Sequence, residues 1–352
     1  MENSEKNYIE LGNRALKTLN ALIVLLMLSI AGFTGVLLKD FLFTGDIAES
    51  QNIASVHALT APPDGLWHAP DIKGVGDGSS SELIIYGRDL IASTSKFLGP
   101  NGSVKHISNG LNCQNCHLDA GTRPWGNNYG SVASTYPKFR ARSGSVENIY
   151  KRVNDCFERS LNGQALDTLG KEMQAIKAYI EFLGSNVEKG KKAEGSGFKE
   201  LAFLDRPADP SSGKVVYELK CQSCHQPDGE GTLMADGSAY TFPPLWGEHS
   251  YNDGAGLYRI TNFARYVKYN MPLGATHAAP MLTDEEAWDV AAFVNSQKRP
   301  HIDARTDWPD ISKKPIDHPF GPYDDGFSEA QHKYGPWKPI QDFRNGANTA
   351  MK

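Results

Sequence analysis

The pattern of apolar positions along the chain predicts amphipathic helices in two successive blocks. In the first block, residues 81–99 form a predicted helix that ends at Gly99 and Pro100. From residue 146 onward, apolar side chains recur at three- and four-residue spacing, and Ser145 is the predicted N-cap. A further helix is predicted at residues 168–184, with one apolar face and Gly184 as its stop.

The second block repeats this plan. Residues 215–225 are predicted as a short helix that runs into a cysteine motif. Residues 282–300 open with a capping box, from Thr283 to Glu286, and the helix is predicted to stop before Pro300. Neither block contains a convincing run of alternating strand residues. The pattern therefore predicts an all-α fold with two helical domains in tandem.

An uncharged apolar run at residues 21–38 is about the minimum length for a transmembrane helix. Lys6, Arg14 and Lys17 precede it and acidic residues follow, so the positive-inside rule places the amino terminus in the cytoplasm. A cleaved signal peptide is the alternative, because residues 29–31 form an acceptable small-residue site. The apolar run continues beyond that site, which favours a retained anchor in a bacterial inner membrane. The rest of the chain is then expected on the periplasmic side. A soluble periplasmic protein is the expectation if cleavage occurs.

The remaining boundaries follow from composition. Residues 186–200 are charged and rich in glycine, which suits a linker, and the tail is rich in proline, aspartate and aromatic residues. The predicted segments are a stub and anchor (or signal peptide) at 1–40, a linker at 41–78, a first domain at 79–185, a linker at 186–210, a second domain at 211–299 and a wrapping tail at 300–352.

The net charge of −5 is modest, so the overall balance indicates neither nucleic acid nor an extended anionic surface as a partner. Any attraction for an anion must therefore come from a local group of basic residues.

Each predicted domain carries one Cys-x-x-Cys-His sequence, the attachment motif of c-type haem. A zinc or redox motif is the alternative for one isolated copy, whereas two copies, each between helices in an exported chain, indicate two covalently bound haems c. The predicted attachment residues are Cys113 and Cys116 for haem 1 and Cys221 and Cys224 for haem 2. The predicted proximal iron ligands are His117 and His225.

The distal ligands are predicted by comparing the two halves. Methionine followed by proline before the closing helix is the usual distal ligand of small c-type cytochromes, which favours Met271 for haem 2, with Met281 as the alternative. Met271 precedes Phe293 of its closing helix by nearly the same count of residues as Cys156 precedes Tyr179. The count predicts Cys156 as the distal ligand of haem 1.

A buried structural thiol is the alternative for Cys156, and a disulfide is not expected because the other four cysteines form thioether bonds. A thiolate ligand lowers the potential of a haem iron, whereas His/Met ligation raises it. A thiolate can also leave the iron and form a bond to sulfur, which makes Cys156 a candidate nucleophile.

The helix around Cys156 is rich in basic residues. Arg152 and Ser160 lie one turn on either side of Cys156, and Arg142 precedes the helix. Lys138 and Lys151 are interpreted as parts of a solvated face. Arginines beside a haem could pair with its propionates, but Arg152 is well placed to bind an anion and to favour the thiolate. The combination indicates small sulfur oxyanions as substrates.

The sequences NGLNCQNCHLDAG, NDCFERSLNG, NMPLG and PYDDGF resemble the dihaem thiosulfate dehydrogenase/tetrathionate reductase family. The resemblance covers nearly everything from about residue 75 to the tail. It implies two cytochrome c domains, a His/Cys haem at the active site and a His/Met haem as relay. The implied reaction couples two thiosulfates into tetrathionate and passes two electrons to a soluble or membrane cytochrome.

The resemblance carries a catalytic role onto Cys156 and substrate binding onto Arg142 and Arg152, with Ser160 beside them. Some family members place a lysine just before the haem 2 methionine as a rival ligand. Here that residue is Asn270, which favours stable His/Met ligation. Two alternatives stay open: a SoxA-like haem subunit that acts on a carrier protein, and a membrane-tethered electron carrier without catalysis.

Overall fold

The computed structural model describes residues 65–350, with side chains through residue 346, and the isolated positions 23 and 27. The predicted anchor at 21–38 lies outside the described residues apart from those two positions. Among the described residues, no helix has the length and apolar character needed to span a membrane.

Helices dominate the described chain. The first half contains α1 Ser79–Ala92, α2 Thr94–Leu98, α3 Leu118–Gly121, α4 Val132–Thr135, α5 Ile149–Arg159 and α6 Lys171–Leu183. The second half and the tail contain α7 Pro210–Lys220, α8 Gln222–His225, α9 Ile260–Asn270, α10 Asp284–Ser296, α11 Glu329–Tyr334 and α12 Lys338–Ala350. Short 3-10 turns occur at Ile72–Val75, Cys113–Asn115, Gly256–Tyr258 and Ile311–Lys313.

Two small antiparallel hairpins accompany the helices, so the all-α prediction misses them. In the first, β1 Lys138–Arg140 pairs with β2 Ser145–Glu147, and Lys138 lies opposite Glu147. In the second, β3 Thr232–Leu233 pairs with β4 Tyr240–Phe242. Strands of two or three residues give too few alternating positions to be recognised from the sequence.

The first domain is built on the crossing of α1 and α6. A Cβ atom at Gly87 would lie 2.0 Å from the carbonyl oxygen of Ala175 and 2.8 Å from Cβ of Tyr179, so only glycine permits this approach. The apolar faces of both helices, predicted by the three- and four-residue spacing, form a buried core here. Gly184 caps the carboxyl end of α6, as predicted.

The second domain repeats this crossing with α7 and α10. A Cβ atom at Gly213 would lie 1.9 Å from the carbonyl oxygen of Asp289 and 2.9 Å from Cβ of Phe293. Tyr179 and Phe293 therefore occupy equivalent places in the two domains. The predicted capping box of α10 is present, with Thr283 and Glu286 each accepting a backbone N–H of the other.

Helix α9 of the second domain contacts the first domain directly. The Tyr266 hydroxyl donates to the carbonyl oxygen of Asn115 at 2.6 Å, and the Asn270 amide donates to that of Trp125 at 3.2 Å. Asn115 lies between the two cysteines of the first motif. These bonds tie the first attachment loop to the helix that immediately precedes Met271.

The tail contacts both domains. Asp307 pairs with Arg159 at 2.9 Å on the first domain, and Asp317, which is fully buried, pairs with Arg259 on the second. Trp337 and Ile340 are buried in the core of the second domain.

Two local predictions differ from the structure. The predicted helix at 81–99 is interrupted at Ser93, whose φ of −132° is not helical, and continues as α2. The helix that carries Cys156 is capped by Asn148, whose side chain accepts the N–H of Lys151 at 3.0 Å. Ser145 is instead part of β2, because the turn at Gly144 directs residues 145–147 back along β1.

Candidate active site

The loop that carries Cys113 and Cys116 is held by side-chain hydrogen bonds. The backbone N–H of Cys113 donates to the Thr94 hydroxyl at 2.9 Å, and that of Asn112 donates to the Asn115 side chain at 2.7 Å. These bonds hold the loop so that both thiols lie on one turn, which covalent bonding of one planar group to both thiols requires.

His117 is oriented by its other ring nitrogen. Nδ1 lies 2.6 Å from the carbonyl oxygen of Asn127, and the ring stacks on Tyr129 with centroids 4.5 Å apart. Because a carbonyl oxygen can only accept, Nδ1 carries the proton, and Nε2 keeps a free lone pair for a metal.

The second motif has the same arrangement. Nδ1 of His225 lies 2.8 Å from the carbonyl oxygen of Pro243, so Nε2 of this residue is also free to ligate iron. Met271 is the residue that follows α9; it is partly buried and packs against the core of the second domain. Met281, the alternative, is 54% exposed.

A cavity of about 250 Å³ lies in the first domain, where both thiols, His117 and Cys156 line it together. Most of its remaining wall is apolar; the aliphatic side chains are Ile91, Leu111, Val132, Ile149, Val153, Leu161, Ile176 and Ile180. Two thiols, one imidazole with a free Nε2, a further sulfur and an apolar wall together fit a covalently attached haem.

Cys156 reaches this cavity from α5. Nη1 of Arg152 lies 3.0 Å from its sulfur, one helical turn away, and Ser160 lines the cavity one turn on the other side. Burial opposes ionisation of the thiol, but the charge of Arg152, together with the nearby His117, outweighs it and lowers the pKa of Cys156 to about 6. The sulfur of Cys156 and the imidazole of His117 thus line the same cavity.

The other sequence-predicted arginine lies elsewhere. Arg142 does not line the cavity; its Nη1 donates to the carbonyl oxygen of Gly254 at 2.9 Å, and its guanidinium stacks on Trp308. Burial and the neighbouring charge of Arg159 lower the pKa of Arg142 to about 10.

Three further cations line the cavity that the sequence motifs do not identify as site residues: Lys138, Arg140 and Lys192. The sequence pattern predicts a solvated face for Lys138 and an interdomain linker for Lys192. The alternation of Lys138, Phe139 and Arg140 was the available signal, because it places both cations on one side of a strand. Nothing in the sequence near Lys192 indicates that its segment returns to this cavity.

Family models match both halves of the chain. The model described as "SoxA/TsdA, cytochrome c domain" matches residues 103–188, and the model "Cytochrome c" matches residues 211–298. The chain carries two covalently bound c-type haems, as its two motifs predict.

Curated relatives cover most of the chain. A thiosulfate dehydrogenase of Allochromatium vinosum is 38% identical over 243 residues, which are 68% of this chain and 86% of that protein. A thiosulfate dehydrogenase of Psychrobacter arcticus is 35% identical over 273 residues, 74% of this chain and 80% of that protein.

A solved structure is similar as well. Thiosulfate dehydrogenase (TsdBA) from Marichromatium purpuratum, in its "as isolated" form, superposes with a TM-score of 0.62 at 31% identity. The match covers 68% of this chain and 50% of the solved one. The relatives' names favour a thiosulfate dehydrogenase over both the electron-carrier and the SoxA-like alternatives. The chain belongs to the thiosulfate dehydrogenase family of c-type cytochrome enzymes.

Proposed function

We propose that this enzyme couples two thiosulfates into tetrathionate with release of two electrons, and that it catalyses the reverse reaction through the same site. The observation that carries the proposal is the contact between Cys156 and Arg152 inside the haem 1 cavity, with 3.0 Å between sulfur and Nη1. A sulfur nucleophile paired with a buried cation suits a substrate that is a small sulfur dianion.

In this proposal, haem 1 is attached to Cys113 and Cys116 and ligated by His117 and Cys156. The support is the shared cavity, which both thiols, His117 and Cys156 line, and the Nε2 of His117 that its Nδ1 contact leaves free. A thiolate ligand would give this haem a low potential, which favours the loss of electrons from it.

In the same way, Cys221 and Cys224 attach haem 2, and His225 and Met271 ligate its iron. The partial burial of Met271 against the domain core supports it over Met281, which is largely exposed. The Asn270 amide is engaged by the carbonyl oxygens of Trp125 and Tyr266, and an amide offers no counterpart to a lysine ligand.

Cys156 is the proposed nucleophile. Its thiolate forms a bond to the outer sulfur of thiosulfate, which gives Cys–S–S–SO₃⁻ and releases two electrons. When bound, the two haems supply the acceptors for these electrons. A second thiosulfate then attacks the adduct sulfur that is distal to the cysteine, releases tetrathionate and regenerates the thiolate, which is thiol exchange chemistry.

The reverse exchange needs no redox step. Cys156 attacks tetrathionate and expels thiosulfate, so that one thiolate and one tetrathionate dianion give one adduct and one thiosulfate dianion. Arg152 holds the sulfonate against the sulfur, and the Ser160 hydroxyl, at the same cavity wall, supplies a neutral donor.

Arg142 is assigned a different part in this scheme. Since it lies outside the cavity and holds Gly254 of the second domain, we interpret it as a positioning residue rather than a substrate ligand. Its near neighbour Asp307 also pairs with Arg159, so the group joins α5 to the tail.

Haem 2, held by Cys221, Cys224, His225 and Met271, would supply the exit for electrons to a soluble or membrane cytochrome in this proposal. The catalytic domains lie on the periplasmic side of the inner membrane, anchored by residues 21–38 or released by cleavage. The basis is the charge pattern of the amino terminus and the c-type haem motifs.

The test is a steady-state assay of the purified holoprotein in both directions. Ferricyanide with thiosulfate should be consumed in the forward direction, and a reduced dye with tetrathionate in the reverse. Cys156→Ser should be nearly inactive in both, because a hydroxyl cannot form the sulfur bond. Substantial turnover by Cys156→Ser would leave Cys156 as a tuning ligand and the chemistry as outer-sphere electron transfer.

A further inference from the structure

Strand β1 presents two cations to the haem 1 cavity. Successive side chains of a strand point to opposite faces, so Lys138 and Arg140 share a side while Phe139, which is 61% exposed, points away. Both cations line the cavity that contains Cys156. Glu147 on the paired strand is buried, and its Oε2 lies 3.9 Å from Nε of Arg140, an ion pair without a hydrogen bond.

A third cation comes from the segment that follows α6. Lys192 lines the same cavity and is solvent-exposed, which places it at the mouth. Its segment is fixed to the first domain on both sides. The backbone N–H of Ala193 donates to the Ser131 hydroxyl at 2.8 Å, and the Ser134 hydroxyl donates to the Lys191 carbonyl oxygen at 2.7 Å.

These cations repel one another across the cavity. Burial lowers the pKa of Lys138, and the charges of Arg140, Arg152 and Lys192 lower it further, with Glu147 opposing. Like charges that face one cavity repel one another and therefore cost stability. Such an arrangement is typical of a functional site that binds the opposite charge.

We propose that Lys138, Arg140 and Lys192 form a subsite for the second thiosulfate, separate from the contact that Arg152 makes at Cys156. The inference rests on the proposed function, which requires a second thiosulfate dianion to react with an anionic adduct in the same cavity. The attacking thiosulfate approaches an adduct that is already anionic, so cations beside its path offset the repulsion.

The step that this subsite serves is balanced without any proton or oxidant. The outer sulfur of thiosulfate forms a bond to the distal sulfur of Cys–S–S–SO₃⁻ while the bond to the Cys156 sulfur breaks. The products are tetrathionate and the Cys156 thiolate, which leaves with the electron pair. One dianion and one monoanion thus give one dianion and one thiolate.

The first experiment is steady-state kinetics of a double variant, Lys138→Gln with Lys192→Gln, which removes two charges and keeps side-chain size. The half-saturating thiosulfate concentration should rise roughly tenfold, as expected for lost charge-assisted contacts. Lys105→Gln, an exposed lysine of the same domain that does not line the cavity, is the matched control and should behave as wild type. Arg140→Gln is the second variant if the double variant fails to take up haem.

The second experiment isolates the exchange step. Holoprotein is treated with tetrathionate, freed of excess reagent and then mixed with thiosulfate or with the neutral thiol 2-mercaptoethanol. The variant should release the adduct several-fold more slowly than wild type with thiosulfate. With the neutral thiol the two rates should agree, because no charge has to be offset.

Equal rates of variant and wild type with thiosulfate would overturn the subsite. The subsite would also be overturned if the variant kept the wild-type half-saturating thiosulfate concentration but had a shifted haem 1 potential. That result would show that these cations pair with the haem propionates instead. If wild-type protein forms no adduct at all, the covalent step of the proposed function fails, and the steady-state comparison still decides the subsite.

Discussion

Replacing Arg152 tests whether the cavity holds a defined anion site. The guanidinium lies 3.0 Å from the Cys156 sulfur and lines the cavity. A hydrogen bond to a charged group is worth about 1.5–3 kcal/mol, so Arg152→Ala should lower kcat/KM for thiosulfate by roughly ten- to a hundredfold. Arg152→Lys keeps the charge without the planar fork, and should recover part of the loss.

The assay is ferricyanide reduction at varied thiosulfate and at two ionic strengths. Arg88→Ala is the matched control, since Arg88 is a 41% exposed arginine on α1 that pairs with its neighbour Asp89. It should leave kcat/KM unchanged. If both variants lost kcat/KM equally, and both losses disappeared at the higher ionic strength, the result would indicate diffuse electrostatic steering. It would refute a specific Arg152 contact.

Three other outcomes are expected. Electron paramagnetic resonance of oxidised protein should show a low-spin thiolate-ligated haem that Cys156→Gly loses; a retained signal would reject the ligand. Met271→Ala should change the reduced spectrum of haem 2 while Met281→Ala leaves it unaltered, and the reverse result would identify the ligand as Met281. Asp317→Asn should cost ~3–5 kcal/mol of unfolding free energy, because it strands the Arg259 charge at the tail contact. Burial opposes the Asp317 charge, but Arg259 and the hydrogen bonds to the carboxylate outweigh it and lower its pKa. Its stabilisation is therefore complete above the unfolded-state value of about 3.9 and is lost as pH falls through the lower folded-state value. The thermal midpoints of variant and wild type should converge in acid, and parallel midpoints would contradict the assignment.

The parts of the site that depend on local spacing could be predicted from the sequence. The two attachment motifs and the apolar helix faces are of this kind. The prediction of Cys156 depends on counting residues back from Tyr179 and Phe293, which must be equivalent positions of the two closing helices. They are equivalent because each helix crosses its partner helix at a glycine, Gly87 in the first domain and Gly213 in the second.

The parts that depend on tertiary contacts could not be predicted. Lys192 reaches the cavity only because its segment is hydrogen-bonded to Ser131 and Ser134, far away in sequence. Arg142 has the right charge and position in the sequence, but a carbonyl of the second domain directs it away from the cavity. Ser145 and Asn148 are both good N-caps, and the pairing of β2 with β1 selects Asn148.

The proposed mechanism requires Cys156 to carry the sulfur of thiosulfate during turnover. Mass spectrometry of holoprotein quenched after incubation with tetrathionate tests it most directly, on the peptide that contains Cys156. One added thiosulfate is expected on that peptide, removable by reductant and absent from Cys156→Ser. An unmodified Cys156 peptide in an enzyme that is turning over would contradict it.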